Sequence, residues 1–271
     1  MRLSPYEKEA QREIERWQHG EASFLMKAFS WAMQPMDWVV NQVVPEDMLD
    51  QASNAVEQFL SVLNNASEWT YDADDLLSQA REKGLEVETI EELRDESLEV
   101  LDEIAKGLFS QNAMLAAVEG GGTGLGGAVL IAADIPLLFG INFRLIQQIG
   151  AAYGFKLKGP DFQPLVLSIF NVAASGESRS KNDAIREISV AGAAFANELN
   201  YKGRVTGTLR DQNRHLPREI AKNIVGRKIA QTIPIAGAAV GAGINYWFTT
   251  ETAETSFMLF RALYLERKER I

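Results

Sequence analysis

A chain of 271 residues that is 46% hydrophobic can bury a substantial core in one large domain or two small ones, and its lack of cysteine excludes disulfides, thiolate zinc sites and cysteine nucleophiles. The net charge of −10 is unevenly spread: residues 45–103 hold 18 acidic and 3 basic side chains, whereas residues 104–271 hold 13 acidic and 19 basic ones. An acidic block facing a basic C-terminal part either pairs internally or presents an electrostatic footprint to an anionic partner.

The chain opens with MRLSPYEKEAQREIERW, charged throughout, with neither the apolar core nor the small-residue cleavage site of an export signal, so a cytoplasmic location is expected. Ser4, Pro5 and Glu7 form a capping box with proline at the first helical position, which predicts a helix from about Pro5 to Gln18. Phe24, Leu25, Phe29, Trp31, Met33, Met36 and Trp38 then crowd a short stretch suited to a core or to a membrane interface. Asp72, Asp74 and Asp75 are read as helix-capping carboxylates that match the dipole of the helix they begin. From Thr89 to Leu108, apolar Ile90, Leu93, Val100, Leu101, Ile104 and Leu108 recur at spacings of three, four and seven, with Glu, Asp and Lys on the other side, which predicts one amphipathic helix. Alternating β-branched runs are absent, so the expected fold is all-α. It is a single compact domain over residues 1–271, comprising N-terminal amphipathic helices (1–44), an acidic helical segment (45–103) and a glycine-rich helical core with a basic stretch (104–271).

The glycine-rich core begins with EGGGTGLGGAVLIAADIP, residues 119–136. Gly122 to Gly127 matches G-x-G-x-x-G, but QNAMLAAV before it is helical in composition and no acidic residue follows at ribose-binding distance, so a dinucleotide site is not expected. No Gly-Lys-Ser/Thr follows, which excludes a P-loop. Gly120, Gly124, Ala128 and Ala132 recur every four residues instead, a strip of small side chains along which another helix can approach closely. Gly237 and Gly241 repeat the device, Thr232-Ile-Pro234 echoes Asp134-Ile-Pro136, and Gly243-Ile-Asn-Tyr246 echoes Gly140-Ile-Asn-Phe143. Two related glycine-rich helical hairpins, packed closely in the core, are therefore expected, with Asp134 as an N-cap. Ile229–Thr250 is free of charge over about the length of a membrane helix but poor in leucine, so stable spanning is not expected.

The segments AMQPMDWVVNQVVPEDML, GGGTGLGGAVLIAADIPLLFGINFRLIQQIGAAYGF and IPIAGAAVGAGINYWFTTETAETSFMLFRALYLERK resemble the EcsC protein family in content and order, over about Trp17 to Lys268. The resemblance implies a link to a bacterial secretion system, because the family is named for a product encoded beside an ABC transporter, and it implies no particular reaction.

Functional candidates follow from residue types. Arg204, Arg210, Arg214, Arg218, Lys222, Arg227 and Lys228 form a basic stretch in which four members recur every four residues; it suits either lipid phosphates or pairing with the acidic block, and Pro217 is expected to start a new helix within it. Nucleic acid is not expected as a partner, since no binding module is present and the total charge is negative. The two histidines, His19 and His215, are far apart, so no metal site and no cofactor are expected. Glu251 and Glu254, with Asp134 and Arg144, are the catalytic candidates should they converge in a small-residue core, where carboxylate acidity would be perturbed. The leading expectation is a non-catalytic accessory, peripheral at the inner face of the membrane, whose partner is an anionic membrane surface or a membrane protein complex. The alternatives are a hydrolase or lipid-modifying enzyme built on that cluster, and a lipid carrier.

Overall fold

The computed structural model describes residues 3–19, 46–65, 71–124, 128–157, 163–175, 185–186, 188, 216–228 and 237–270, and among these no strand occurs. Helix α1, Pro5–Gln18, has the predicted bounds and the predicted start: Glu7 N–H donates to Ser4 Oγ at 3.2 Å and Ser4 N–H to Glu7 Oε2 at 2.8 Å. Its buried face carries Glu7, Ala10, Ile14 and Trp17 at spacings of three and four. Helix α2 runs Glu46–Asn65 and α3 runs Ala73–Glu82. Asp72 caps α3 by accepting from Asp74 N–H at 2.9 Å, and Asp74 and Asp75 occupy the first turn, as expected of carboxylates at a helix start.

The helix expected over Thr89–Leu108 is two elements, a 3-10 helix at Ile90–Asp95 and α4 at Leu98–Gly124. The Glu92 carboxylate turns back to accept from Glu88 N–H at 2.8 Å and Thr89 N–H at 3.4 Å, closing a short capped turn. Glu96 is extended, and Ser97 O then accepts from Val100 and Leu101 N–H, both at 3.1 Å, to begin α4. Ile90 and Leu93 nevertheless join Leu101, Ile104 and Leu108 in the core, which is why one apolar period spans the break.

Helix α5 is Ala128–Ala152, α6 Gln163–Ala174, α7 Leu216–Lys228 and α8 Gly237–Arg270. Pro217 lies in the first turn of α7, as expected, but Pro136 lies inside α5, so Asp134 is an interior residue of that helix and not its N-cap. The four-residue strip is also divided. Gly120 and Gly124 close α4 while Ala128 and Ala132 open α5, and residues 125–127 between them are outside the described residues. Gly237 and Gly241 lie in the first two turns of α8, whereas Thr232 is outside the described residues. The close helix approach that the described side chains reveal is elsewhere, at Gly150, where a Cβ would meet Leu157 Cδ1 at 3.0 Å and Phe260 Cζ at 3.1 Å.

α8 is the axis of the bundle. It packs chiefly on α4 and also on α5, α6 and α1. Asp102 beside Arg261 and Lys106 beside Phe257 set α4 antiparallel to α8, while Phe139 beside Phe248 and Phe155 beside Phe260 set α5 parallel to it. The echoed Gly-Ile-Asn triplets thus lie on parallel neighbours, and both asparagines, Asn142 and Asn245, are fully buried while a Cβ at Gly140 or Gly243 would meet open space. Phe139 anchors the core from α5, with ring centroids 4.7 Å from Phe170, 5.7 Å from Phe248 and 5.7 Å from Phe59.

Candidate functional site

The most fully formed polar constellation joins α1, α4, α8 and the turn that follows α5 around Asp102, which is 0% exposed. Its position follows from helix periodicity: Leu98, Leu101, Asp102, Ala105 and Leu108 fall on one face of α4, so the carboxylate enters the core with the apolar side chains. Tyr153 Oη donates to Asp102 Oδ1 at 2.6 Å and Tyr6 Oη donates to Oδ2 at 2.7 Å. Arg261 Nη2 lies 2.8 Å from the same Oδ2, and its Nη1 reaches Glu13 Oε2 at 2.5 Å. The guanidinium is roofed by the rings of Phe257, at 5.0 Å, and Tyr6, at 5.8 Å. A second pair, Lys268 with the buried Glu7, fastens α1 to the last turns of α8.

Burial pushes the Asp102 carboxyl above its ordinary range, against the opposing pull of Arg261 and the two tyrosine hydroxyls. Burial beside that carboxylate drives the Tyr153 and Tyr6 hydroxyls well above theirs. Arg261 is held above its usual value because Asp102 and Glu13 outweigh burial, so it remains a cation. Both oxygens of Asp102 are therefore engaged by donors that keep their protons. A carboxylate with no exposed surface and three donors on its two oxygens is suited to joining helices rather than to moving protons.

Glu7 behaves in the opposite sense. Burial raises its pKa, but the Lys268 ammonium and the Ser4 N–H overrule this and hold it below 4.5. A depressed carboxylate stabilises the fold above its unfolded value, and that contribution is lost as pH falls through the lower folded value. Glu7→Gln is accordingly expected to flatten the acid limb of the stability curve between about pH 5 and pH 3, measured as the urea midpoint against pH. Asp102 runs the other way: its cost accumulates as pH rises from 3.8 toward its raised folded value, so it does not contribute to that acid limb.

The sequence-derived candidates are not gathered at this centre. Glu251 and Glu254 are buried on α8, whereas Arg144 is exposed on the outer side of α5, so these three do not form one buried cluster. Of Asp134 only the backbone, inside α5, is described. At about 100° per residue, Glu254 shares the α4-facing side of α8 with Phe257 and Arg261. Asn245, Thr249, Thr252 and Ser256, all fully buried, lie instead in the strip between Phe248 and Phe260, toward α5. Among the described residues no group of three His, Asp or Glu side chains is arranged to hold a metal. Of the basic stretch, Arg218 is exposed and 3.4 Å from Asp50 of α2, and Lys222 is exposed one turn later. Arg227 and Lys228 have only their backbone described, in α7, and Arg204, Arg210 and Arg214 lie outside the described residues.

Composition and periodicity miss Tyr6, Asp102, Tyr153 and Arg261. A signal was present, since Asp102 interrupts an apolar stripe and Arg261 interrupts the apolar run Phe257–Leu265, and a charge so placed requires a partner.

The family model described as EcsC protein family matches residues 8–265. The chain belongs to the EcsC family. The EcsC-family match takes in every element from α1 to the penultimate turns of α8, and with them Asp102, Tyr153 and Arg261. Two relatives from Bacillus subtilis (strain 168) are similar to it. One, named Uncharacterized protein YdbA, is 24% identical over 255 residues, covering 92% of this chain and 89% of the relative. The other, named Protein EcsC, is 29% identical over 170 residues, covering 63% and 66%. No solved structure matches this EcsC-family chain. Among the described residues no helix is long and apolar enough to cross a membrane.

Proposed function

We propose that this EcsC-family protein is a non-catalytic accessory that associates peripherally with an anionic membrane surface beside a membrane complex. The observation that carries this reading is the outer face of α5. Leu137 is 51% exposed, the large apolar side chain left open among the described residues, and it follows the exposed Pro136. Partly buried Ile141 and exposed Arg144 continue the same face at spacings of four and three. An apolar helix face ending in a cation that has no ion-pair partner among the described residues suits a lipid interface, where apolar atoms leave water and the guanidinium meets phosphate. Lys222 and Arg218 add exposed positive charge on α7.

The test is flotation of the purified protein with neutral and with anionic vesicles across a salt series. The expected result is recovery with anionic vesicles that weakens as salt rises and falls when Arg210, Arg214 and Arg218 are changed to Ala. Failure to float with any vesicle would contradict the proposal.

A further inference from the structure

We infer that α1 is a releasable cover, and that the groove it uncovers on α4 and α8 binds phosphate-bearing anions where the carboxylates of Glu7 and Glu13 now sit. The groove shares no residue with the α5 face of the membrane reading above and stands independently of that reading. α1 runs antiparallel to α8, with Glu7 on Lys268 and Glu13 Oε2 at 2.5 Å from Arg261 Nη1. Tyr6 Oη crosses to Asp102 of α4. Ala10, Ile14 and Trp17 are the apolar side chains that α1 buries. Charge thus carries much of this contact.

Such an attachment closes with a small margin. Covering Glu7, Asp102 and Arg261 strips them of water, and the attraction between the ions returns about what that stripping costs. When α1 departs all three rehydrate, a compensation that an apolar helix leaving its site does not have. The helix also leaves as a unit. Its capping box joins Ser4 to Glu7, and Arg12 pairs with Glu9 at 2.8 Å, so both devices are internal to α1 and survive separation. Local opening, below the free energy of global unfolding, is expected where apolar contact is thin.

What α1 covers is a cationic face. Phe257, Arg261, Tyr264 and Lys268 follow one another along α8 at spacings of four, three and four, with two cations and no acid. Arg261 and Lys268, seven residues apart, are about 10 Å apart along the axis. Lys106 of α4 adds a third cation, 5.5 Å from the centre of the Phe257 ring. Asp102 sets one carboxylate against these three, which leaves two positive charges, and Glu7 and Glu13 of α1 balance them.

The carboxylates of α1 fill this groove incompletely. Arg261 is 2% exposed, yet its Nε–H has no hydrogen-bond partner among the described residues; Glu13 takes Nη1 and Asp102 takes Nη2. A phosphate group can occupy the position of the Glu13 carboxylate and still offer further oxygens to the guanidinium, the forked geometry in which arginine binds phosphate. Lys268 supplies a point charge to the same anion or to a second phosphate group. Glu13 itself is partly exposed, so an anion arriving from water meets the edge of the groove first.

Because the chain has no cysteine, a single introduced thiol reports opening with no competing thiol. Ala10→Cys places it under α1 and Ala151→Cys places it in α5, both at sites 0% exposed. With a small neutral thiol reagent, Ala10→Cys is expected to react at least about a hundredfold faster than Ala151→Cys, and with a weaker dependence on urea. Ile14→Cys, on the same buried face, replaces a larger side chain, so a fast reaction there cannot come from crowding. Tripolyphosphate, or vesicles of phosphatidylcholine with phosphatidylglycerol, should raise the Ala10→Cys rate above that in potassium chloride of equal ionic strength, by about tenfold at ten times the dissociation constant. The two probes separate a soluble phosphate from a lipid headgroup as its source. Added to Ala10→Cys, Glu7→Gln should speed the reaction and keep this response, whereas Lys268→Gln should speed it and lose most of the response. Equal rates and equal urea dependence at positions 10 and 151 would overturn the releasable cover. A response to neither probe beyond that to potassium chloride, or equal responses in Glu7→Gln and Lys268→Gln, would overturn the anion site.

Discussion

Replacing Arg261 by Met is expected to destabilise the protein by about 3–5 kcal/mol, read as a loss in unfolding free energy by urea denaturation, because Asp102 is then left buried without its cation. Asp102 is 0% exposed and Arg261 2% exposed, so neither charge can be rescued by water without opening the contact among α1, α4 and α8. Methionine fills much of the volume beneath the rings of Phe257 and Tyr6, which confines the effect to charge and hydrogen bonding and leaves packing largely intact. The double variant Asp102→Leu with Arg261→Met should recover only part of the loss. Removing both charges ends the desolvation penalty, yet Tyr6 and Tyr153 would each lose the oxygen they donate to, at 2.7 Å and 2.6 Å, and an orphaned buried hydroxyl costs about 1–3 kcal/mol. A single variant within about 1 kcal/mol of wild type would contradict a strongly coupled centre.

The second large effect is expected at Gly154→Ala. Gly154 ends α5 with a φ of +80°, its N–H donating to Ala151 O at 2.8 Å while Phe155 N–H donates to Gly150 O at 2.9 Å, the pair of bonds that closes a helix through a left-handed residue. Alanine there bears the left-handed penalty of about 1–2 kcal/mol. Its Cβ would also lie 2.7 Å from Arg94 N and 2.8 Å from Arg94 Cβ, so the 3-10 helix itself must move, adding about 1–3 kcal/mol. Gly84 is the internal control, with a φ of +86° at the end of α3, the same two bonds to Arg81 O and Ala80 O, and open space where a Cβ would stand. Gly84→Ala should therefore cost only the left-handed penalty. Equal losses at the two positions would contradict the role assigned to the contact with Arg94.

These two sites mark the boundary of what was legible in the sequence. Local chemistry was readable wherever donor and acceptor sit within a few residues: the Ser4–Glu7 capping box, the Asp72 cap and the Pro217 start all follow from short-range rules and are found as expected. Pro136 breaks the pattern because α5 begins eight residues earlier, among glycines and alanines whose propensities gave no firm start, so a proline read as a first-turn residue stands in the third turn, at an exposed position. The break at Glu96 was hidden because the apolar period continues across it and only the backward reach of Glu92 reveals a separate turn.

The polar centre was illegible for a different reason. Asp102 is stabilised by Arg261, 159 positions later, and by Tyr6, 96 positions earlier, and no periodicity links residues so far apart. Counting apolar spacings assigned the acidic residues of α4 to the solvent side, which holds for Glu99 and Glu103 and fails for Asp102. The proposed membrane-facing surface was half legible. The sparsely charged glycine-rich segments were evident in the sequence, but that Leu137, Ile141 and Arg144 share the outer face of α5 depends on which side of that helix the core takes.

The measurement that tests the central claim most directly is vesicle binding by Leu137→Asp compared with wild type, on anionic vesicles at moderate salt, with circular dichroism confirming that both are equally helical. Leu137 is already 51% exposed, so the substitution removes little from the core. Losing the transfer of the exposed half of that leucine into lipid, about 0.8–1.5 kcal/mol, corresponds to roughly fourfold to tenfold weaker binding. The account predicts that loss without unfolding. Binding by Leu137→Asp as tight as that of wild type would contradict it.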